Sequence, residues 1–312
     1  MPLQLRTGYT EILVEAGLGR ENLICPVFVS DRVEMLGNMQ GAPFVSCANV
    51  AQGVQPIVDA GVHSVILFGI PGVRDASGSS SVDKNGVVQR AVREIKSAFG
   101  RSINVITDVC LCQYNLSGHC GLLAGDRVDN DSTIAMLARI AVSLAEAGAD
   151  VVAPSAMMDG QVRKIRQALD ATGHSARILS YSAKHSSSLY TPFRSAAFAK
   201  KGSIDKAAYQ VPYSSPRQAM LEIEQDIIEG ADMVMVKPGL AYLDLVRRAK
   251  ERFSVPVAVQ NVSGEYAMIK AAGRRGWIDE EEWKVLSLAS MKRAGADRII
   301  SYFALQVAGY LD

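Results

Sequence analysis

The stretch MVMVKPG, residues 233–239, is short, apolar and rich in β-branched residues, and it leads into a lysine. Similar runs recur along the chain, with helix-like segments between them. Fully apolar strands that alternate with helices are typical of a parallel sheet covered on both faces. The other runs are LICPVFV (23–29), SVILFG (64–69), INVITDVCL (103–111), DVVAPSAMM (150–158), RILSYSA (177–183), PVAVQNVS (256–263) and RIISYFA (298–304).

Eight strands with helical crossovers predict an α/β fold, a (β/α)8 TIM barrel forming a single domain. A doubly wound sheet is the alternative. Among the intervening helices, one is predicted to begin after Ser132 as its N-cap and to end at Gly148. The polar stretch 75–86 is predicted to be a mobile loop.

The composition of the chain limits the classes of function that it can have. Of the 312 residues, 48% are hydrophobic and 21% charged, the profile of a soluble globular protein. The formal net charge of +1 gives no electrostatic reason to expect nucleic acid or an anionic membrane as partner. No basic and apolar leader opens the sequence, and no apolar run approaches the ~18 residues of a membrane span. We therefore expect a cytoplasmic enzyme.

Three of the five cysteines fall within DVCLCQYNLSGHC, residues 108–120. An odd count argues against a secreted disulfide framework. If Cys110 and Cys112 lie on a strand, their side chains share a face, and a loop can bring Cys120 back to them. Three thiolates with one open position are typical of catalytic zinc. Ordinary core cysteines are the alternative, and His119 is expected to be a loop or proton-transfer residue.

Polar residues follow several of the predicted strands, at the end of a barrel where active sites lie. They are Asp108, Ser155, Lys184, Lys237, Ser263 and Tyr302. Desolvation lowers the pKa of a lysine, and its neutral amine can then attack a ketone. Two such lysines predict two Schiff-base candidates and two carbonyl substrates. Surface ammonium groups beside loops are the alternative.

Seven motifs occur in order from about residue 23 to the end of the chain: TDVCLCQY…GHCG, APSAMMDG, SYSAKHSSSLYTPFR, AYQVP, EGADMVMVKPG, NVSGEYAMIKAA and KRAGAD…SYFA. Together they resemble the porphobilinogen synthase family, also called the 5-aminolevulinate dehydratases. The resemblance implies a hydro-lyase that joins two 5-aminolevulinate molecules into the pyrrole porphobilinogen, with loss of two waters, in tetrapyrrole (heme) biosynthesis. It also implies a homo-oligomer, an octamer in the family.

The resemblance assigns roles by position. Lys237 and Lys184 match the two Schiff-base lysines, and Cys110, Cys112 and Cys120 match a zinc-type metal loop. Ser263 and Tyr302 match residues that hold the first substrate's carboxylate, and Arg194, Lys206 and Gln210 match those that hold the second's. Asp108, a catalytic candidate, and Ser155 match polar groups near the second substrate's amine. Glu222 matches a position linked to an allosteric magnesium.

Some residues depart from the family pattern near the pocket. Ala156 replaces an aspartate, Gln260 replaces a tyrosine, Lys206 replaces an arginine and Thr191 replaces a glycine. A paralogue acting on another amino ketone with the same chemistry is therefore an alternative, and a plain class I Schiff-base aldolase is a second one. Residues 1–20 are predicted to form an N-terminal arm, short for the family, which leaves a smaller assembly open, and residues 21–312 the barrel.

Overall fold

The computed structural model of the chain describes residues 8–31, 44–196 and 205–311. The strands in these ranges are β1 (Leu23–Ser30), β2 (Phe44–Ser46), β3 (Ser64–Ile70), β4 (Asn104–Val109), β5 (Leu122–Ala124), β6 (Arg127–Asp129), β7 (Val151–Pro154), β8 (Arg177–Lys184), β9 (Met233–Lys237), β10 (Val257–Gln260) and β11 (Arg298–Ile300). Each of the eight predicted runs overlaps one of them.

Helices separate most of the strands. They are α1 (Tyr9–Glu15), α2 (Val50–Asp59), α3 (Val87–Phe99), α4 (Asn130–Glu146), α5 (Gln161–Ala171), α6 (Thr191–Ala196), α7 (Pro216–Ile228), α8 (Leu243–Arg252), α9 (Ser263–Arg274), α10 (Glu280–Ala294) and α11 (Ala304–Ala308). On α3, for example, Ala91, Val92 and Ile95 are buried, because they share one face of a helix with 3.6 residues per turn. None of the helices in the described ranges combines the length and apolar character needed to cross a bilayer.

The sheet closes into a barrel. Eight parallel strands follow in the order β1, β3, β4, β7, β8, β9, β10 and β11, and β11 pairs with β1 through Leu23 and Ile299. The prediction of a (β/α)8 TIM barrel is confirmed, and the doubly wound alternative is wrong because a doubly wound sheet stays open. The short strand β2 pairs with the carboxyl end of β1, and β5 and β6 form a separate hairpin.

Three connections into barrel strands share one construction, a Gly-Ala-Asp sequence that ends directly before the strand. We name these the Gly-Ala-Asp loops: residues 148–150, 230–232 and 295–297. In each loop the glycine has a positive φ of 103° to 114°, which a side chain would strain. The aspartate then makes two hydrogen bonds to one residue of the preceding barrel strand. Asp297, for instance, donates its N–H to the Val257 carbonyl at 2.8 Å and accepts the Val257 N–H at 2.9 Å.

The same aspartates are ion-paired. Lys250 lies 2.8 Å from Asp297, and Arg166 and Lys96 pair with Asp232 and Asp150. Each loop therefore fixes the register of one strand against its neighbour, because a shift by one residue would break both hydrogen bonds of the aspartate at once. This fixes the amino end of the barrel.

One local prediction is wrong. Helix α4 begins one turn earlier than predicted: Asp129 is its N-cap, and its carboxylate accepts the Ser132 N–H at 3.1 Å. Ser132 thus lies inside the helix. The stretch 75–86 contains a 3-10 turn, Ser79–Val82, with Ser81 buried, and its mobility stays a prediction.

The described part of the predicted arm lies against the barrel. Leu13 of α1 is fully buried, and the ring of Tyr9 meets that of Tyr310 edge-on with centroids 5.5 Å apart. Residues 1–7 lie outside the described ranges, so the arm stays a prediction.

Candidate active site

The two predicted Schiff-base lysines lie side by side. Lys184 is the last residue of β8 and Lys237 the last of β9, and the two are paired in the strand register. Paired residues of parallel neighbours point to the same side of a sheet, so both side chains leave the carboxyl end of the barrel together. Lys184 is 8% exposed and Lys237 7% exposed. Burial, helped by the nearby Lys184 cation, lowers the pKa of Lys237 to about 7.

Aromatic rings surround the amine of Lys237. Its Nζ lies 4.9 Å from the ring centre of Tyr181, 5.3 Å from that of Tyr190 and 5.8 Å from that of Phe193. The Tyr181 ring is also 5.7 Å from Nζ of Lys184. Electron-rich ring faces support the ammonium form in part. They also exclude water, and this desolvation dominates the lowered pKa.

Asp108 lies at the same end of the barrel, in β4. Its carboxylate accepts a hydrogen bond from Nε2 of Gln113 at 3.2 Å, and Ser155 bonds to it as well. Burial raises the pKa of Asp108, and the Lys184 ammonium opposes that shift. Lys184 in turn donates from Nζ to the carbonyl of Ser155. Asp108, Ser155 and Lys184 are thus brought together, as the sequence predicts.

The three cysteines converge, although not on a strand. Strand β4 ends at Val109, so the expectation that Cys110 and Cys112 share a strand face is wrong, and the loop after the strand gathers them instead. The sulfurs of Cys110, Cys112 and Cys120 lie within 4.8 Å of one another, with Cys110 and Cys112 3.4 Å apart. Ligands of a tetrahedral zinc with Zn–S bonds of about 2.3 Å need similar spacing. The three thiols therefore fit a zinc ion.

The electrostatics favour a thiolate in this cluster. Hydrogen bonds from the other two thiols, and the Lys206 ammonium, bring the pKa of Cys120 well below its usual range. Nζ of Lys206 lies 3.4 Å from the Cys120 sulfur. Burial alone would lower the pKa of Lys206, but the three sulfurs outweigh it and raise that pKa. Lys206, predicted from its position to hold a substrate carboxylate, thus contacts the metal loop.

The metal loop has a second neighbour in Tyr209. Its hydroxyl accepts the backbone N–H of Cys120 at 3.3 Å and lies 3.2 Å from Nδ1 of His119. His119 is part of the loop, as predicted, and it does not belong to the group of three sulfurs that could hold a metal.

The residues predicted to hold the first carboxylate border the same region. Ser263 begins α9; its hydroxyl accepts the Phe193 N–H at 3.0 Å and donates to the Leu189 carbonyl at 3.2 Å. Tyr302 follows β11, after the strand rather than within it, and its ring stacks with that of Phe28 at 6.3 Å. Arg194 of α6, predicted to hold the second carboxylate, lies over the Tyr190 ring at 5.6 Å.

Three buried side-chain atoms in the described ranges have no hydrogen-bond partner, and all belong to this region: Tyr181 Oη, Gln210 Oε1 and Gln260 Oε1. An unpartnered buried polar atom is costly, and such atoms in a pocket suit a ligand that supplies the partner. Gln260 ends β10, whose neighbouring residue Val259 pairs with Val236, so Gln260 stands beside Lys237.

Glu222 lies apart from the lysines, on α7. Together with Asp159 and Asp226 it lines a cavity of about 750 Å³ between α4, α5 and α7. Burial raises its pKa, and the nearby carboxylates add to that shift. Among the described residues, the group that brings three metal-ligand atoms together is the cysteine cluster, and Glu222 is not in such a group.

The family model described as delta-aminolevulinic acid dehydratase matches residues 4–310. The chain belongs to the delta-aminolevulinic acid dehydratase family. The enzyme of that name from Archaeoglobus fulgidus is 48% identical over 299 residues, covering 94% of this chain and 92% of the relative. Its namesake from Methanothermobacter thermautotrophicus is 45% identical over 306 residues, covering 96% and 93%. The predicted family is confirmed, and with it an enzyme of the lyase class.

A solved structure of a dehydratase is similar to this barrel. The crystal structure of delta-aminolevulinic acid dehydratase (porphobilinogen synthase) from Toxoplasma gondii, in complex with the reaction product porphobilinogen, superposes with a TM-score of 0.92. The two sequences are 36% identical, and the match covers 99% of this chain and 91% of the other. The barrel is therefore that of the dehydratase family.

Sequence reasoning missed several residues of the site. Tyr181 lies three positions before Lys184 in the SYSAK motif. No spacing rule predicts that its ring lies close to the amines of both Lys184 and Lys237. Tyr209 precedes Gln210 in the AYQVP motif, and nothing in the sequence links it to Cys120, 89 positions away.

Proposed function

We propose that this protein is a porphobilinogen synthase that condenses two 5-aminolevulinate molecules through Schiff bases on Lys237 and Lys184, with zinc held by Cys110, Cys112 and Cys120. The observation that carries the proposal is the register pairing of Lys184 with Lys237, two buried amines on neighbouring strands. A single-lysine aldolase would not need the second amine. Two substrates that must be joined need two anchors side by side.

Lys237 is the stronger nucleophile of the proposal. With a pKa of about 7, the Lys237 amine is neutral in roughly half of the molecules at pH 7, compared with about one in 2,500 for an ordinary lysine. The neutral Nζ attacks the substrate carbonyl carbon, the carbonyl oxygen leaves as water, and an imine remains. The surrounding aromatic rings keep bulk water away from this imine.

The other residues serve the second substrate. Asp108, whose pKa is raised by burial, can hold and transfer a proton beside Lys184. The unpartnered oxygen of Gln210 can accept a hydrogen bond from the ligand. When bound, zinc would supply a Lewis acid at the three cysteines. By position in the family, Ser263 and Tyr302 remain the proposed carboxylate partners for the first substrate, and Arg194 remains one for the second.

Trapping with borohydride tests the proposal. The protein is incubated with 5-aminolevulinate and borohydride, and the reduced adducts are mapped by peptide mass. We expect adducts on Lys237 and Lys184, and pyrrole formation in the absence of borohydride. Lys237→Arg keeps the charge but cannot form the imine, so it should lose turnover. Lys164→Arg, an exposed change on α5, should retain full activity. Adducts confined to other lysines would refute the assignment.

A different amino ketone is the second candidate substrate, because Gln260 places an unpartnered amide oxygen beside Lys237. Comparing pyrrole formation from 5-aminolevulinate by the wild type and by Gln260→Tyr distinguishes the two. A strong wild-type rate that the tyrosine lowers supports 5-aminolevulinate. A negligible wild-type rate that the tyrosine restores supports the paralogue.

We further propose a homo-oligomer in the cytoplasm. Helix α7 exposes two large apolar side chains, Leu221 at 51% and Ile228 at 72%, which a second copy could cover. The five cysteines are free thiols, as expected in a reducing compartment.

We also propose a magnesium ion near Glu222, because this ion commonly binds one or two carboxylates and several waters. Sedimentation with and without magnesium tests the homo-oligomer and the effect of the ion on it.

A further inference from the structure

The buried carboxylate of Glu265 joins the loops that follow two neighbouring barrel strands. Glu265 lies in the first turn of α9. Its Oε2 accepts the N–H of Val262, after β10, at 2.7 Å, and its Oε1 accepts the N–H of Leu240, after β9, at 2.7 Å. The bond to Val262 is a common cap of a helix N-terminus. The bond to Leu240 spans 25 residues, and it ties α9 to the loop that follows Lys237.

The loop after β11 is tied to the same carboxylate through Asn261. Nδ2 of Asn261 donates to Oε2 of Glu265 at 3.3 Å, and Oδ1 of Asn261 accepts the hydroxyl of Ser301 at 3.0 Å. The Ser301 hydroxyl also accepts the N–H of Phe303 at 3.1 Å, so it braces the chain on both sides of Tyr302. Asn261 and Ser301 are buried. We name Glu265, Asn261 and Ser301 the buried polar network.

The three loops that this network joins carry the proposed first-substrate site. Lys237, which would form the imine, ends β9, Ser263 begins α9 and Tyr302 follows β11. In 5-aminolevulinate a short chain of two methylene groups separates the carbonyl carbon from the carboxylate. Lys237 must therefore stand at a fixed distance from the two carboxylate partners. A misplacement of about 1 Å can cost a reaction about 100-fold.

Packing around the network supports the same arrangement. A Cβ on Gly239 would lie 3.0 Å from the carbonyl oxygen of Gln260, so the loop after β9 lies close against the end of β10. The ring of Tyr266, the residue after Glu265, lies 5.6 Å from the ring of Tyr302. The network therefore lies among tightly packed groups, where a lost hydrogen bond is costly and shifts its neighbours.

We propose that Glu265 is a positioning residue of the condensation: through Asn261 and Ser301 it holds Lys237 at the distance from Ser263 and Tyr302 that the keto acid requires. This inference rests on the proposed function and deepens it. Glu265 acts through the three loops and not by contact with the substrate. A residue that only capped α9 would contribute to stability alone, and its loss would not change how the site discriminates between ligands.

The test compares two ketones with the same carbon skeleton. One is 4-oxopentanoate, a keto acid that lacks the substrate's amine, and the other is 2-pentanone, in which a methyl group replaces the carboxylate. Both can form an imine with Lys237, whereas the keto acid alone can use Ser263 and Tyr302. Cyanoborohydride delivers a hydride to the imine carbon and leaves a stable secondary amine. The ratio of the two rates of adduct formation at Lys237, mapped by peptide mass, measures the preference for a carboxylate.

Glu265→Gln keeps the shape of the side chain but turns one acceptor oxygen into an NH2 group that faces an N–H, so one loop loses its acceptor. Burial raises the pKa of Glu265 to about 7, and its N–H donors oppose that shift, so the wild-type group is ionised at about pH 8.5, where the rates are measured. In the wild type, the keto acid should react about tenfold faster or more. Glu265→Gln should lower this ratio about tenfold and leave the rate with 2-pentanone almost unchanged.

Asp279→Asn is the matched control. It makes the same acid-to-amide change at the N-cap of the next helix, α10, where Asp279 accepts the Glu282 N–H at 3.1 Å. Its ratio should equal that of the wild type. A Glu265→Gln protein that loses stability but keeps the wild-type ratio would overturn the proposal. So would an equal fall of both rates, because the preference for a carboxylate would then be intact.

Ser301→Ala tests the far end of the network and decides the matter if Glu265→Gln does not fold. It removes the links to Asn261 and Phe303 and leaves the cap of α9 in place, and it should also lower the ratio. Ser287→Ala, which removes another buried hydroxyl that bonds to the Lys284 carbonyl at 2.9 Å, should keep it. Urea unfolding checks every variant. A folded Ser301→Ala protein with the full preference would overturn the proposal, whereas absence of any Lys237 adduct in the wild type would refute the proposed function itself.

Discussion

Val211 donates its backbone N–H to the carbonyl of Lys184, and through this bond a loop remote in sequence is fixed to the strand that carries a reactive amine. The side chain of Lys184 meanwhile bonds to the carbonyl of Ser155, on the neighbouring strand's end. Both the backbone and the amine of Lys184 are therefore held by other parts of the barrel mouth, whereas the amine of Lys237 is surrounded mainly by rings.

This difference leads to a pH prediction for Lys237. The nucleophile is the neutral amine, so the rate of imine trapping should rise with pH and level off above the pKa of about 7. An ordinary lysine would level off only near pH 10.4. We would measure the rate of adduct formation at Lys237 with 4-oxopentanoate and cyanoborohydride between pH 5.5 and 9, a range in which the protein is checked to be folded.

The same shift has a consequence for stability. Between pH 7 and about 10.4, the unfolded lysine binds a proton that the folded one does not, so its contribution to the free energy of unfolding increases with pH. Lys237→Met should lack this increase. The difference between wild type and variant in urea unfolding at pH 7 and pH 9.5 measures it. A constant difference would mean that Lys237 has an ordinary pKa.

The metal prediction uses the cysteines themselves. Cys112→Ser should lose zinc, because a serine hydroxyl is a poor ligand at neutral pH, while the barrel stays folded around its large apolar core. Cys47→Ser changes another largely buried thiol, whose sulfur donates to the Val87 carbonyl, and should keep a full zinc content. Elemental analysis together with circular dichroism gives both quantities. Full zinc in Cys112→Ser would remove that residue from the ligand set.

Replacing Gln260 is expected to change stability and activity in opposite directions. Gln260→Leu removes a buried amide oxygen that has no partner, so the free energy of unfolding should increase by about 1 kcal/mol. If the amide meets the substrate, kcat/KM should fall about tenfold or more. Gln167→Leu, an exposed change on α5, should leave turnover unaltered. A variant that gains stability and keeps its full rate would show that Gln260 does not contact the substrate.

The Gly-Ala-Asp loops yield a stability prediction. Asp297→Ala leaves the Val257 N–H without its acceptor and Lys250 without its partner, which should cost about 1–3 kcal/mol in urea unfolding. Asp170→Ala also removes an ion-pair partner, but that pair is exposed and 4.0 Å long, so the expected change is below about 0.5 kcal/mol. Similar losses in both variants would contradict the role given to the loop.

The barrel could be predicted from the sequence because most of its strands are buried on both faces and therefore read as largely apolar runs. The metal loop shows a limit of prediction from sequence patterns. Alternate residues share a face only on a strand, and β4 ends at Val109, before Cys110. The strand argument therefore selected the right cysteines for the wrong reason. Loop shape, which local sequence does not fix, brings the sulfurs together.

Contacts between distant segments were also out of reach. Tyr209 meets Cys120 across 89 residues, and Lys206 lies by the same sulfur across 86. Its position in the family predicts that Lys206 holds a substrate carboxylate, a role that stays a prediction. Tyr181 escaped notice because the strand register shifts between Ser180 and Ala183, and period-two reasoning does not apply across such an irregularity.

The edge-on contact between Tyr9 and Tyr310 has a practical meaning for anyone who wishes to rearrange the chain. Residues at opposite ends of the described sequence lie side by side on one face of the barrel, so a short Gly-Ser linker could join these regions. A new opening at the exposed turn between α5 and β8, residues 172–174, would then cut no barrel strand. Such a circular permutant would carry its two amines on a continuous stretch that begins with β8 and β9, synthesised first rather than midway.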